Sequence, residues 1–183
     1  MNGSIFILKG NIVYSKNQTE VAICEHGYLV CKDGKVDGIY QTLPFRLGGN
    51  PIRDYGDRLI IPGLVDLHIH APQYSYRGLG MDMELLEWLE TNTFPEEAKY
   101  ESLEYARKSY RIFVENLKNS ATTRACIFAT VHRPATLLLM DMLEKSGLDT
   151  YVGKVNMDRN CPDYICEETQ ESCLLYTSDA ADD

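Results

Sequence analysis

Leu59-Ile60-Ile61-Pro62-Gly63-Leu64-Val65-Asp66-Leu67-His68-Ile69-His70, "LIIPGLVDLHIH", is almost continuously apolar until its final positions. Such a run reads as a strand buried on both faces, the pattern of a parallel sheet covered by helices. The downstream sequence agrees. Residues 83–94, "MELLEWLETNTF", read as a short amphipathic helix, and residues 95–120 carry Leu103, Ala106, Tyr110, Val114 and Leu117 at three- and four-residue steps. Pro95 suits a first helical position, with Glu96 and Glu97 complementing the positive end of that helix. "TTRACIFATV" (122–131) reads as a second buried strand, "RPATLLLMDMLEKSG" (133–147) as a helix ending at Gly147, and "TYVGKVNMD" (150–158) as a third strand.

The order β, α, β, α, β implies an α/β fold with a parallel sheet and right-handed crossovers. A complete eight-unit barrel takes about 250 residues. In a chain of 183 residues, only about three units fit after Leu59. Upstream, "SIFILKGNIVYS" (4–15), "GYLVCKDGKVDGIYQ" (27–41) and "RLIIPG" (58–63) are short strand-like runs broken by turn signals. The Asp33-Gly34 pair between two of them is a hairpin signal, because that turn needs positive φ. The expected organisation is a small antiparallel β domain over 1–60, the first strands of a β/α barrel over 61–172, and a tail over 173–183. The tail, "CLLYTSDAADD", holds three acids and no base, and resembles the conceptual translation of a transposase adapter used in sequencing libraries. No element of the fold is assigned to it.

With 27 acidic and 18 basic residues the net charge is −9, which argues against nucleic acid or an anionic membrane surface as partner. The N-terminal stretch "MNGSIFILKGNIVYS" has only a short apolar run before Lys9, so the reading is a cytoplasmic protein without signal peptide or membrane span. Six cysteines in such a chain read as reduced thiols; Cys161 and Cys166 in "CPDYIC" have no second pair to complete a four-ligand zinc site.

Side chains two apart on a strand share a face, so His68 and His70 can reach one point in space while Ile69 faces away. They stand at the carboxyl end of the first parallel strand, where barrel enzymes assemble their sites. Neutral imidazoles are good zinc ligands, but a catalytic zinc site takes three protein ligands and an open position, so two are not enough. Taken alone, a His-x-His on a strand is as readily a pair of satisfied polar residues.

Set behind "IIPGLVDL" and a small β domain, the pair resembles that of the metal-dependent amidohydrolase superfamily. "HIHAPQYSYRGLGMDMELLEWLETNTFPEEAKY", "TTRACIFATVH" and "YVGKVNMDRNCPDY", spread over residues 61 to about 164, narrow the resemblance to its guanine deaminase branch. The resemblance implies that His68 and His70 bind a catalytic zinc, and that His70, Ala71, Pro72 and Gln73 line a guanine pocket. Gln73 alone reads as an exposed loop residue; its amide, donor and acceptor at once, suits a purine edge that carries both. Trp88 is a candidate pocket wall or a core aromatic, Arg77 a pocket-mouth residue or a solvated cation, and His132 a residue at the active-site end of the sheet.

The implied reaction is hydrolysis of guanine to xanthine and ammonia, in a protein that is usually a homodimer. The remaining ligands and the proton-shuttling carboxylate belong to later strands. No catalytic residue falls within this chain, which is expected to be inactive, poorly soluble and weak in zinc binding by itself. The resemblance also marks one departure, Asn119-Ser120-Ala121 where the branch often has Asn-Gly, with a cost if position 120 needs positive φ. Two alternatives stay open: another amidohydrolase of the same fold acting on a different purine or a triazine, and a non-enzymatic αβ binding module. The zinc deaminases with His-x-Glu and Pro-Cys-x-x-Cys signatures are excluded, because neither motif is present.

Overall fold

The computed structural model describes residues 4–170 and Ser172; the 173–183 tail lies outside the described residues. The chain divides into two compact units that meet between Pro62 and Gly63.

The first unit is a four-stranded sheet of β1 (Ile5–Ser15), β2 (Val21–Lys32), β3 (Lys35–Tyr40) and β4 (Ile52–Ile60), in the order β3-β2-β1-β4. β2 and β3 form the expected hairpin, with Lys32 opposite Lys35 and both Asp33 (φ 51°) and Gly34 (φ 76°) in the left-handed region. The sheet is not antiparallel throughout, because β4 runs parallel to β1. A tight hairpin would have reversed it; instead the chain between β3 and β4 passes through a 3₁₀ turn at Phe45–Leu47 and returns in the same direction as β1. Leu47 packs there with Ile7 and Val30 to close a small core.

The apolar run Leu59–His70 is two strands, not one. Pro62 has no N–H to give a ladder, so β4 stops at Ile60 and β5 begins at Leu64 (Leu64–His70). Gly63 is required at the junction by close approach: a Cβ there would stand 2.1 Å from the Thr123 hydroxyl oxygen.

β5, β6 (Thr122–Phe128) and β7 (Asp149–Gly153) form a parallel sheet in the order β5-β6-β7. Two long helices connect them, α3 (Leu103–Lys118) before β6 and α4 (Arg133–Glu144) before β7. Tyr110, Phe113 and Leu117 of α3 and Leu139 and Leu143 of α4 bury against Ala125 and Ile127 of β6. The stripe expected on α3 is buried except at Leu103, which opens the first turn and stays exposed. No residue of β5 is fully buried: among the described residues the strand pairs with β6 alone, Leu64, Val65 and Leu67 are exposed on its two faces, and Ile69 packs against the core.

Between β5 and α3 the chain is helical from Leu85 to Glu101, but in four short pieces: α1 (Leu85–Trp88), a π turn (Leu89–Thr93), α2 (Phe94–Ala98) and a 3₁₀ turn (Lys99–Glu101). Pro95 accounts for the break in period. It lacks an N–H, its ring would strike the carbonyl one turn back, and widening that turn removes the clash. Pro95 therefore sits in the first turn of α2, while α3 starts eight residues later behind an N-cap at Ser102, whose Oγ accepts from the Tyr105 amide. α4 closes at Glu144, ahead of Gly147 at φ 79°. Ser120 is not among the positive-φ residues, so the missing glycine costs nothing; its hydroxyl donates to the Leu117 carbonyl at 2.7 Å.

Leu139 is fully buried between helix and sheet. Replacing it with alanine is expected to lower stability by about 2–5 kcal/mol, through lost burial and the cavity left behind. Urea unfolding of Leu139→Ala against the unsubstituted chain measures this directly.

Candidate active site

Parallel pairing puts His70 beside Phe128 at the carboxyl end of the sheet. The His70 ring stacks on Phe128, with centroids 4.8 Å apart and planes at 15°, and the His68 ring lies 4.8 Å from the same phenyl group. One aromatic surface thus holds both imidazoles, and their Nε2 atoms stand 3.2 Å apart. Two nitrogens bound to one tetrahedral zinc at ordinary bond lengths are separated by about 3.3 Å, so the pair fits a shared metal ion. Burial, helped by His68, holds the His70 pKa below the usual histidine value. That favours the neutral imidazole that ligates metal. Among the described residues, no group of three histidine, cysteine or carboxylate side chains converges on a metal position.

Directly after His70 the chain leaves the strand. The Ala71 amide donates to the Phe128 carbonyl at 3.0 Å, Ala71 and Pro72 are buried, and a 3₁₀ turn runs from Pro72 to Tyr76. Gln73 lies half-buried in that turn. Arg77 folds back instead of reaching outward: its Nη1 donates to the Tyr74 carbonyl at 2.8 Å and its guanidinium lies 3.9 Å over the Tyr74 ring. Trp88 donates from Nε1 to the Leu79 carbonyl at 3.0 Å and packs on Tyr76, which gives it a part in shaping the loop.

Sequence reasoning missed two residues that matter here. Glu96 and Glu97, read from the sequence only as complements to the positive end of a helix, are buried, with exposures of 7% and 4%. Glu96 Oε1 accepts from the Ser75 hydroxyl at 2.7 Å and from the Tyr105 hydroxyl, and Oε2 accepts from Lys99 Nζ at 2.6 Å. Glu97 Oε1 accepts from the Thr130 hydroxyl and, at 2.6 Å, from the Val131 amide. Burial pushes the Glu97 pKa up, and these two donors offset only part of the rise. Burial pushes on Glu96 as well, but Lys99, Tyr105 and Ser75 together outweigh it and hold that carboxyl below the usual range. The only signal in the chain was the adjacency of two glutamates behind a helix-breaking proline, and nothing local named their partners.

His132 stands at the N-cap position of α4. Its Nε2 and the Tyr110 hydroxyl are buried without a hydrogen-bond partner among the described residues, and burial lowers the His132 pKa. Past β7, Lys154 Nζ pairs with Glu167 at 2.6 Å in a largely buried ion pair. Cys161 and Cys166 flank the 3₁₀ turn Asp163–Ile165 as free thiols.

The profile of the amidohydrolase family matches residues 59–182. The guanine deaminase of Dictyostelium discoideum is 43% identical over 119 residues, 65% of this chain and 26% of the relative. That of Escherichia coli is 40% identical over 151 residues, 81% of this chain and 34% of the relative. This chain thus spans about a quarter to a third of the length of these curated relatives. The crystal structure of a guanine deaminase from C. acetobutylicum with guanine bound in its active site superposes with a TM-score of 0.90 at 45% identity, over 96% of this chain and 42% of that one. The fold is therefore the N-terminal part of an amidohydrolase barrel enzyme.

The raised Glu97 pKa has a consequence for stability. A carboxyl that holds its proton more tightly when folded contributes most below its unfolded value, near 4.5, and that contribution is lost as pH rises through the folded value. Glu97→Gln cannot ionise and keeps an oxygen for Thr130 and Val131. Its urea midpoint is expected to fall less between pH 4.5 and neutrality than that of the unsubstituted chain; equal falls would assign the pH dependence to other groups.

Proposed function

The chain belongs to the amidohydrolase family, and we propose that the protein carrying it hydrolyses guanine to xanthine and ammonia with one zinc ion per active site. The observation behind this reading is a single constellation: two imidazoles 3.2 Å apart, held on Phe128 and followed at once by the Ala71–Gln73 turn. It is supported by likeness to relatives that are guanine deaminases.

In this reading His68 and His70 would hold zinc, and Phe128 fixes the planes of both rings. Bound zinc supplies a water acidic enough to be deprotonated near neutral pH. His70, Ala71, Pro72 and Gln73 form one wall of the guanine pocket. The backbone of that wall is pinned by the Ala71 amide to β6, and the Gln73 amide donates to and accepts from the purine edge. Remaining metal ligands and the carboxylate that protonates the departing amine belong to the rest of the full-length protein. On this account the domains are 1–60, a small β domain, and 61–172, the first part of the barrel, in a cytoplasmic homodimer. The described cysteines are free thiols, as a reducing compartment keeps them.

The full-length protein, incubated with guanine and followed by ultraviolet absorbance and ammonia release, is expected to form both products in equal amounts. The 183-residue chain alone is expected to form neither. Gln73→Ala in the full-length protein is expected to raise KM for guanine about tenfold or more, since a buried edge of the base loses its partner. His70→Ala is expected to abolish stoichiometric zinc, measured by elemental analysis. Turnover of adenosine or a chlorotriazine in preference to guanine would reject guanine as the substrate.

A further inference from the structure

We propose that Glu96 and Glu97 are positioning residues, a double clamp by which one turn of helix sets the two loops at the carboxyl end of β5 and β6. The inference rests on the functional reading above for its link to guanine.

Neighbouring helical residues diverge by about 100°, so two successive side chains can reach different loops. Glu96 reaches the turn after β5 through Ser75 Oγ at 2.7 Å, two residues past Gln73. The same turn is held by the Tyr76 hydroxyl on Thr93 Oγ1 at 3.0 Å and by the Tyr100 hydroxyl on the Pro72 carbonyl at 3.4 Å. Thr93, Glu96 and Tyr100 thus form one stripe against it. Glu97 reaches the loop after β6 by accepting from the Thr130 hydroxyl and the Val131 amide. Thr130 Oγ1 in turn accepts from the His132 amide at 3.3 Å, so the clamp extends to the residue that opens α4. The π turn at Leu89–Thr93 sets the phase: without the widened turn ahead of Pro95, the residues beyond it would rotate away from these loops.

Two adjacent buried carboxylates are expensive to place in a core. Their donors include a hydroxyl from each loop and a backbone amide from the second. Solvating either carboxylate releases its loop. The arrangement therefore couples order in the Gln73 turn to Glu96 and order in the His132 loop to Glu97.

The test uses the full-length protein carrying this segment. Ser75→Ala removes the loop end of the first clamp and is expected to raise KM for guanine about tenfold with kcat within about twofold, while Glu96→Gln, which keeps an acceptor for Ser75, stays near the unsubstituted KM. Glu97→Ala, and the milder Thr130→Val in case the first does not fold, are expected to speed hydrogen exchange at the Val131 amide about tenfold, with Glu97→Gln restoring slow exchange. A KM that does not move in Ser75→Ala while thermal stability falls removes Glu96 from the proposal, because a purely structural contact would behave that way. Unchanged Val131 exchange removes Glu97. If the unsubstituted protein does not turn over guanine, the functional reading fails, and exchange at Val131 and through residues 72–76 decides the clamp by itself.

Discussion

Parallel pairing of β5 with β6 places His70 beside Phe128 and Leu64 beside Thr122, and every feature of the candidate site depends on that register. A slip of one residue would turn His68 and His70 to the opposite face. It would also take the Ala71 amide off the Phe128 carbonyl, which is where the chain leaves the strand and starts the Gln73 turn. The pairing is supported from behind by α3 and α4, whose Phe113, Leu139 and Leu143 bury against Ala125 and Ile127 of β6. Hydrophobic packing on one side of the sheet thereby fixes polar geometry at its end.

Charge burial is the second determinant. Glu96 and Glu97 lie where water cannot solvate them fully, and each is compensated by donors from elements distant in sequence. Burial and loop order are two aspects of one interaction, since the donors are the loops themselves. The compensation is unequal: three side-chain donors hold the Glu96 carboxyl low, whereas Glu97, with one hydroxyl and one amide, stays raised. The Tyr110 hydroxyl and His132 Nε2, both buried and without partners among the described residues, lie in the same unit.

Local signals were readable where the physics is local. Asp33-Gly34 announced a turn that needs positive φ, and the hairpin is there. Gly147 marked the end of α4, and the three- and four-residue steps of Ala106, Tyr110, Val114 and Leu117 marked the buried face of α3. Signals failed where a neighbour decides. Pro62 broke an apolar run into two strands, because a missing N–H matters only once a ladder is present. β4 joined β1 in parallel, because strand direction depends on the path of the connection and not on composition. Leu64, Val65 and Leu67 suggested burial on both faces, yet all three are exposed in a strand that, among the described residues, pairs along one edge only.

The sequence by itself determined which chemistry was available and on which face: strand period put His68 and His70 on the same side, and the stretch from His70 to Gln73 placed a donor-acceptor amide beside them. Tertiary structure decided distance and order. The 3.2 Å convergence of the imidazoles needs Phe128, far beyond His70 in the chain, and the fixed loops need Glu96 and Glu97 to meet Ser75, Thr130 and Val131. The physical reason is range. Backbone periodicity acts over two to four residues, whereas desolvation and hydrogen bonding act between whichever groups the fold brings into contact.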